Sequence, residues 1–309
     1  MALPYSFLML ILISLNCFGQ TTAIPDVNFE LELVNQGIDT NGMNGNILNT
    51  DAAGVSQLYV NNNNISDLTG IEAFINITVL FCDANNLTSL DLTSNIALVN
   101  LKCSGNNITN LNTSNNSQLR ILNCSSNSLT SIDISNNLLL EDLNCAANDL
   151  TSLDIINHVA LTDLNCALND ISELDISANT LIEGLECFGN NLTELDVTSL
   201  PNLTSLVCIN NDLTSLDLSN NNNLLTLSAG GNDITSLDVT NNPYLVTLSF
   251  QGNLITEIDL TFNSLLQNLD LSYNSLNELD LVLNSELRQL EVQYNNLKLL
   301  DVSTAPFLH

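Results

Sequence analysis

The stretch LVNLKCSGNNITNL, residues 98–111, contains the pattern on which the fold of this 309-residue chain is built. Leu101 and Cys103 alternate with polar neighbours, which is the pattern of a strand with one face turned toward a core. Asn106 follows where a tight turn is needed, and its amide is suited to bond backbone groups of adjacent turns. Ile108 then begins an apolar return path. The stretch therefore predicts one turn of a coil.

The same pattern recurs every 21 residues along most of the chain. Leucine holds one column from position 80 to position 290, and asparagine holds another from 85 to 295. Cysteine holds a third column from 82 to 208, and an earlier turn begins at Leu58, 22 residues before its successor. A fixed period of this length is typical of solenoid proteins.

The size of one turn explains why many copies are needed. About six buried apolar side chains per turn contribute roughly 2 kcal/mol each, whereas ordering about 21 residues costs ~1–2 kcal/mol apiece. A lone turn is therefore unstable, and stability belongs to the stacked array. We predict an α/β-type solenoid dominated by parallel β-strands, with residues 58–309 forming about twelve turns.

The unit L-x-x-L-x-L-x-x-N-x-L, with Cys often at the third Leu, resembles the leucine-rich repeat. The chain is similar to secreted bacterial leucine-rich-repeat proteins of the internalin-like kind, in the form with a 21-residue repeat and a cysteine column. Residues 24–39 are similar to the cap that precedes the repeats of those proteins. The resemblance implies a right-handed superhelix with a short N-terminal helical cap, display at the cell surface or release, and a binding or adhesion role.

Residues 1–20 differ from the rest and predict a secretory signal peptide, because an apolar run is followed by a short polar stretch. Lipidation at Cys17 is a less favoured alternative. Residues 21–57 are expected to form the cap, with a helix and a loop rich in Asp and Asn. Relatives often continue into sorting or adhesive modules, whereas this sequence stops at His309 within a turn, which suggests a truncated gene or a fragment.

The charge balance argues against two classes of partner, nucleic acids and anionic membranes. Only 4 Lys and Arg residues face 34 Asp and Glu residues, giving a formal net charge of -30. Nucleic-acid binding depends on basic residues that neutralise phosphates, and docking on anionic membranes has the same requirement. No stretch after the signal peptide resembles a transmembrane segment.

Two further columns could carry chemistry. The seven in-register cysteines are expected to be small buried core residues, because strands stacked ~4.8 Å apart do not suit disulfides and no histidine completes a zinc site. An aspartate also repeats once per turn between two apolar residues, so it should face solvent on the side away from the sheet. We expect these carboxylates to bond nearby backbone, with loose cation binding as the alternative. The column comprises Asp91, Asp133, Asp154, Asp175, Asp196, Asp217, Asp238, Asp259, Asp280 and Asp301.

One segment of the cap resembles an EF-hand calcium loop with one residue inserted. Its candidate ligands are Asp39, Asn41, Asn44 and Asp51, where an EF-hand would end in Glu. The favoured alternative is a turn rich in Asp and Asn that links the cap helix to the first strand. Apart from calcium at this loop, the sequence predicts no cofactor.

The ligand-binding surface is expected on the outward residues of the strands, which line the concave face of such solenoids. Phe188, Val207 and Ile209 form the best candidate hot spot, because apolar side chains gathered on a surface often mark partner sites. The other candidates are Asp142, Asp163, Glu186, Tyr273 and Tyr294.

Catalysis is not expected, because His158 occupies a usual Asn position and no nucleophile–base pair or phosphate-binding loop is present. The leading hypothesis is an exported binding or adhesion protein that recognises a protein or a glycan. Two alternatives stay open: a structural extracellular or matrix component with weak calcium binding, and an ice- or crystal-surface binder. The latter is motivated by a threonine column that runs from position 88 to position 256.

Overall fold

The computed structural model describes residues 20–308. The predicted signal peptide, apart from Gln20, lies outside the described residues, as do Cys17 and His309. None of the helices in the described part has the length and hydrophobicity of a membrane-spanning segment.

The described chain is a parallel β-solenoid with few helices. The helices are α1 (Val27–Asn35) and α2 (Asn49–Ala53), and one turn of 3-10 helix spans Ile71–Ala73. All strands have three residues; they are β1 Thr21–Ala23, β2 Asn46–Leu48, β3 Gln57–Tyr59, β4 Val79–Phe81, β5 Asn100–Lys102, β6 Ile121–Asn123, β7 Asp142–Asn144, β8 Asp163–Asn165, β9 Gly184–Glu186, β10 Ser205–Val207, β11 Thr226–Ser228, β12 Thr247–Ser249, β13 Asn268–Asp270 and β14 Gln289–Glu291. Strands β3–β14 form one 12-stranded sheet in chain order.

The strand register confirms the predicted stacking of the repeats. Leu101 pairs with Leu80 on one side and with Leu122 on the other, and Leu122 pairs with Leu143. All four leucines are fully buried. Residues 21 apart therefore lie over one another, and columns in the sequence are rows in space.

The asparagine after each strand forms the first asparagine ladder. Asn106 Oδ1 accepts the Leu87 N–H at 3.0 Å, and its Nδ2 donates to the Cys82 carbonyl at 3.1 Å and the Cys103 carbonyl at 3.0 Å. The amide thereby joins one turn to the turn before it, as the sequence predicted. Unpaired buried backbone groups are costly, so this repeated asparagine makes each tight turn possible.

A second asparagine ladder lies on the return path before most strands from β5 to β14. Asn242 is fully buried, and its Nδ2 donates to the Leu218 carbonyl at 3.2 Å and to the Asn221 carbonyl at 2.9 Å. His158 occupies one position of this ladder, where its Nε2 lies 3.1 Å from the Ile134 carbonyl. The side chain of His158 is 2% exposed, so it serves the packing of the repeats and does not face solvent.

The cysteine column is buried and unpaired, as predicted. Seven free cysteines, from Cys82 to Cys208, have no exposed surface. Burial raises the pKa of the Cys208 thiol to about 12, and Ala229 and Phe250 continue the same buried column. The thiols are therefore protonated core groups.

The aspartate column faces solvent on the return path and bonds nearby backbone, as predicted. Asp196 Oδ1 accepts the Thr198 N–H at 2.9 Å and the Thr198 hydroxyl at 2.6 Å. The hydroxyl and the N–H of Thr198 lower the pKa of Asp196 below its usual value. The bond from the backbone N–H two residues later recurs at every other position of the column, and a hydroxyl bond accompanies it at Asp91, Asp175, Asp238 and Asp259. Each carboxylate therefore shapes the turn that follows it.

The carboxylate of Asp26 organises the junction between the cap and the repeats. Asp26 caps α1 by accepting the N–H groups of Asn28 and Phe29, and its other oxygen accepts the Ser66 and Asp67 N–H groups of the first turn at 2.7 and 3.1 Å. This single side chain therefore ties the cap helix to the repeats. Strands β1 and β2 pair antiparallel beside it, a feature that the sequence did not predict.

Candidate functional site

The outward side chains of the large sheet form the surface called here the sheet face. It comprises the residues that flank the central residue of each strand from β3 to β14, together with the residues two and three positions beyond each strand. The central residue of most of these strands is a buried leucine, whereas the flanking residues are half-buried or exposed. Alternation along each short strand therefore sends every second side chain to solvent.

The centre of the sheet face is acidic. Asp142 and Asp163 are partners in the pairing of β7 with β8. The pKa of Asp142 is raised, first by burial and then by the charge of Asp163, while Lys102 opposes the rise. A Cβ at position 184 would lie 2.9 Å from Asp163 Oδ1, so Gly184 leaves room for that carboxylate. Glu186 accepts a hydrogen bond of 2.7 Å from the Asn165 amide.

The predicted apolar hot spot lies next to this acidic centre. Phe188, Val207 and Ile209 are on adjacent turns, and all three are half-buried. Neighbouring turns cover the flanks of each side chain, so less of each reaches solvent than the sequence pattern alone indicates. They still present a contiguous apolar area beside Asp163 and Glu186.

The two predicted tyrosines meet at the C-terminal part of the sheet face. The rings of Tyr273 and Tyr294 are stacked with centroids 4.3 Å apart, and both side chains are exposed. Each residue has a positive φ, 54° and 58° respectively. The same conformation recurs at the equivalent position of other turns, including Leu168 and Asn210, so it belongs to the turn of the repeat.

An aromatic cluster at the other end of the sheet face was not predicted. Tyr59 and Phe81 pack edge to face with centroids 5.2 Å apart, and Lys102 Nζ lies 4.8 Å from the centroid of the Phe81 ring. Half-buried Val79 and Ile121 extend the cluster across β4–β6. The signal was present, because Tyr59, Phe81 and Lys102 share the outward column that contains Glu186.

The cap loop places its predicted calcium ligands around a buried carboxylate. Glu30 Oε1 accepts the N–H groups of Asn44 and Asn46 at 2.7 and 3.2 Å. Asp51 Oδ2 accepts the Thr40 hydroxyl at 2.6 Å. Asp39 is 4% exposed, and burial raises its pKa.

Two oxygen atoms in this loop, Asp39 Oδ2 and Asn41 Oδ1, are buried and accept no hydrogen bond. Across residues 20–308, three or more His, Cys, Asp or Glu side chains nowhere come together as a metal site. A cation here would therefore depend on amide or carbonyl oxygens as well as on Asp39.

The threonine column is exposed along the edge of the solenoid. Binding to a crystal surface through this column stays a prediction. Cation binding by the aspartate column also stays a prediction. One oxygen of most of these carboxylates already accepts hydrogen bonds from the following turn, which leaves the other oxygen for a cation.

Comparison with known proteins places these features in a family. No protein-family model matches the chain, and no curated protein sequence matches it. The functional domain of InlJ from Listeria monocytogenes, which includes a cysteine ladder, is 32% identical; the match covers 94% of this chain and 75% of that one, with a TM-score of 0.72. The internalin InlF from the same species is 23% identical, covering 93% and 95% of the two chains with a TM-score of 0.77.

A plant structure shows the same fold in a larger protein. The leucine-rich-repeat ectodomain of the receptor kinase GASSHO1/SCHENGEN3 from Arabidopsis thaliana, solved in complex with CASPARIAN STRIP INTEGRITY FACTOR 2, is 23% identical with a TM-score of 0.72. That match covers 79% of this chain and 33% of the receptor chain. The identity to InlJ, the common solenoid and the stacked cysteines together show that this chain belongs to the internalin-like leucine-rich-repeat proteins.

Proposed function

We propose that this protein is an exported, non-enzymatic binding or adhesion protein, and that its sheet face recognises a protein partner. The observation that carries the proposal is the chemical variety of this one surface. An aromatic cluster with a lysine, an acidic centre, a half-buried apolar group and a stacked tyrosine pair lie along a single row of parallel strands. Aromatic and apolar anchors beside charged groups are typical of protein interfaces.

Relatives support the same class of function. The plant ectodomain was solved with a bound partner, and InlJ and InlF belong to the internalins. Leucine-rich-repeat folds serve many partners, so the specific ligand follows from the side chains and not from the fold. A protein partner is favoured over a glycan here because Phe188 and Ile209 hold equivalent positions on adjacent turns, where their apolar side chains are partly exposed.

The test uses a matched pair of double variants. Phe188→Asp with Val207→Asp places two charges on the sheet face, and Ile96→Asp with Val159→Asp places the same two charges on exposed loop positions. Each immobilised protein is used to capture extracellular proteins, and a glycan array is screened in parallel. We expect a protein ligand that the wild type and the loop variant retain and the sheet-face variant loses. Equal retention by both variants, or a ligand found only on the glycan array, would contradict the proposal.

Calcium binding in the cap is a second candidate function, in which the metal would stabilise the structure of the cap. It is favoured by Asp39 Oδ2 and Asn41 Oδ1, two buried oxygens without a partner. A divalent cation would compensate both, since Ca²⁺ takes carboxylate and amide oxygens as ligands. We expect calcium to raise the melting temperature of the wild type and EDTA to reverse this, with no response in Asp39→Asn. An unchanged wild-type melting temperature argues against the site.

A further inference from the structure

The back of the solenoid carries a groove that is distinct from the sheet face. It crosses the return paths that follow β10–β13, and its main part has a volume of about 760 Å³. A smaller depression of about 270 Å³ continues it toward β10 and shares Ser236 and Asp238 with it. We call this continuous depression the back groove. Its size is within the usual range of ligand sites, about 300–1,000 Å³.

The back groove has an apolar floor and acidic walls. Leu237, Ile258 and Leu279 form its floor. Five carboxylates surround them: Asp238, Asp259, Asp280, Glu257 and Glu278. The hydroxyls of Thr240 and Thr261 donate to Asp238 and Asp259 at 2.7 and 2.6 Å, which fixes the orientation of these two side chains. The groove therefore offers an apolar surface at its base and carboxylates around it.

A second observation on the same turns points to a macromolecular ligand. Large apolar side chains are exposed immediately beyond the groove in the chain. Phe262 is 59% exposed and Val282 is 55% exposed. Val282 also lines a small depression that shares Leu279 and Asp280 with the back groove. This apolar ridge comprises Tyr244, Phe262, Leu265, Val282 and Leu283.

The charge of the chain decides what kind of partner can occupy this surface. With 4 basic residues against 34 acidic ones, a second copy of the protein would bring mainly further negative charge to the groove. Exposed apolar ridges are characteristic of interaction sites, and complementary charge fixes the register and speeds association. We propose that the back groove and its apolar ridge bind a basic, amphipathic segment of another protein, with its Lys or Arg side chains at the carboxylates and its apolar side chains on Phe262 and Val282.

The matched control comes from the same column of the repeat. Glu173 and Glu194 occupy, on earlier turns, the position that Glu257 and Glu278 hold at the groove, and all four are exposed. Glu257→Gln with Glu278→Gln therefore changes the net charge as much as Glu173→Gln with Glu194→Gln. Only the first pair lines the back groove. A third variant, Phe262→Ser with Val282→Ser, removes two of the five ridge side chains without changing charge.

The probe is a fluorescent synthetic peptide of alternating lysine and leucine, measured by anisotropy at about 0.15 M salt. Two comparison peptides carry serine in place of leucine, or glutamate in place of lysine. We expect the first and third variants to lose about tenfold in affinity for the lysine–leucine peptide, whereas the control pair changes less than about twofold.

Three outcomes would overturn the proposal. Equal weakening by the control pair would show that the diffuse negative charge of the whole chain binds the peptide. Equal affinity for the lysine–serine peptide would remove the role of the apolar ridge. The third outcome is that millimolar calcium displaces the peptide and that the first variant no longer binds calcium. This result would identify the groove as a cation site instead.

Discussion

Replacing Asn169 by alanine tests the claim that the first asparagine ladder holds consecutive turns together. The Asn169 side chain is 7% exposed. Its Nδ2 donates to the carbonyls of Cys145, Cys166 and Ala167 at 3.2, 3.0 and 3.1 Å, and its Oδ1 accepts the Leu150 N–H at 3.0 Å.

The expected cost follows from these contacts. The variant loses four hydrogen bonds, each with a net contribution of about 1 kcal/mol, and it leaves the buried N–H of Leu150 without an acceptor. We therefore expect the free energy of unfolding to fall by about 3–5 kcal/mol, a large part of the total stability of a typical domain. Denaturation in guanidinium, followed by circular dichroism, measures this change.

The control is Asn191→Ala, since Asn191 is exposed on the next turn. This substitution should change the free energy of unfolding by no more than about 0.5 kcal/mol. Amide hydrogen exchange locates the effect, because each turn contacts mainly its neighbours. Protection against exchange should decrease first in the turns that contain Leu150 and Asn169. If Asn169→Ala cost no more than Asn191→Ala, the ladder would not be a source of stability.

Three further predictions follow from single positions. His158→Asn should raise the free energy of unfolding by about 1 kcal/mol, because asparagine donates to two carbonyls where His158 bonds only that of Ile134; a loss of stability in thermal denaturation would contradict this. Leu168→Gly should stabilise by about 0.5–1 kcal/mol, since Leu168 is exposed at a φ of 53°, and an unchanged or lower melting temperature would refute it. Asp196 has a lowered pKa in the folded state, so its contribution to stability is present above the unfolded pKa and is lost as the pH falls through the folded pKa. The stability difference between wild type and Asp196→Asn should therefore shrink from pH 5 toward pH 2, and a constant difference would count against the hydrogen bonds to Thr198.

The architecture could be predicted from the sequence because one period governs both local structure and packing. The spacing of Leu80, Leu101 and Leu122 predicted that they stack, and the strand register confirms it. The buried cysteines and the exposed aspartates followed from the same argument. Position within a repeat determines which way a side chain faces, and this needs no knowledge of distant contacts.

The rest depends on contacts that no period encodes. The pairing of Thr21–Ala23 with Asn46–Leu48 joins two stretches outside the repeats, so no column indicates it. The cluster of Tyr59, Phe81 and Lys102 was not predicted, because the contacts of the two rings and the ammonium depend on side-chain rotamers that the column does not specify. The back groove arises from the shape of several return paths together, and that shape is visible only in three dimensions.

The uniform register of β3–β14 has a consequence for how such a chain changes length. Removing one complete unit, for example residues 169–189, would join Leu168 to Asn190 and still leave every remaining leucine opposite another leucine. A recombination event that deletes or duplicates 21 codons therefore preserves the reading frame of the protein and of its hydrogen-bond ladders together. Such a gene can adjust the span of its product in fixed steps, while the surface at either side of the junction keeps its chemistry.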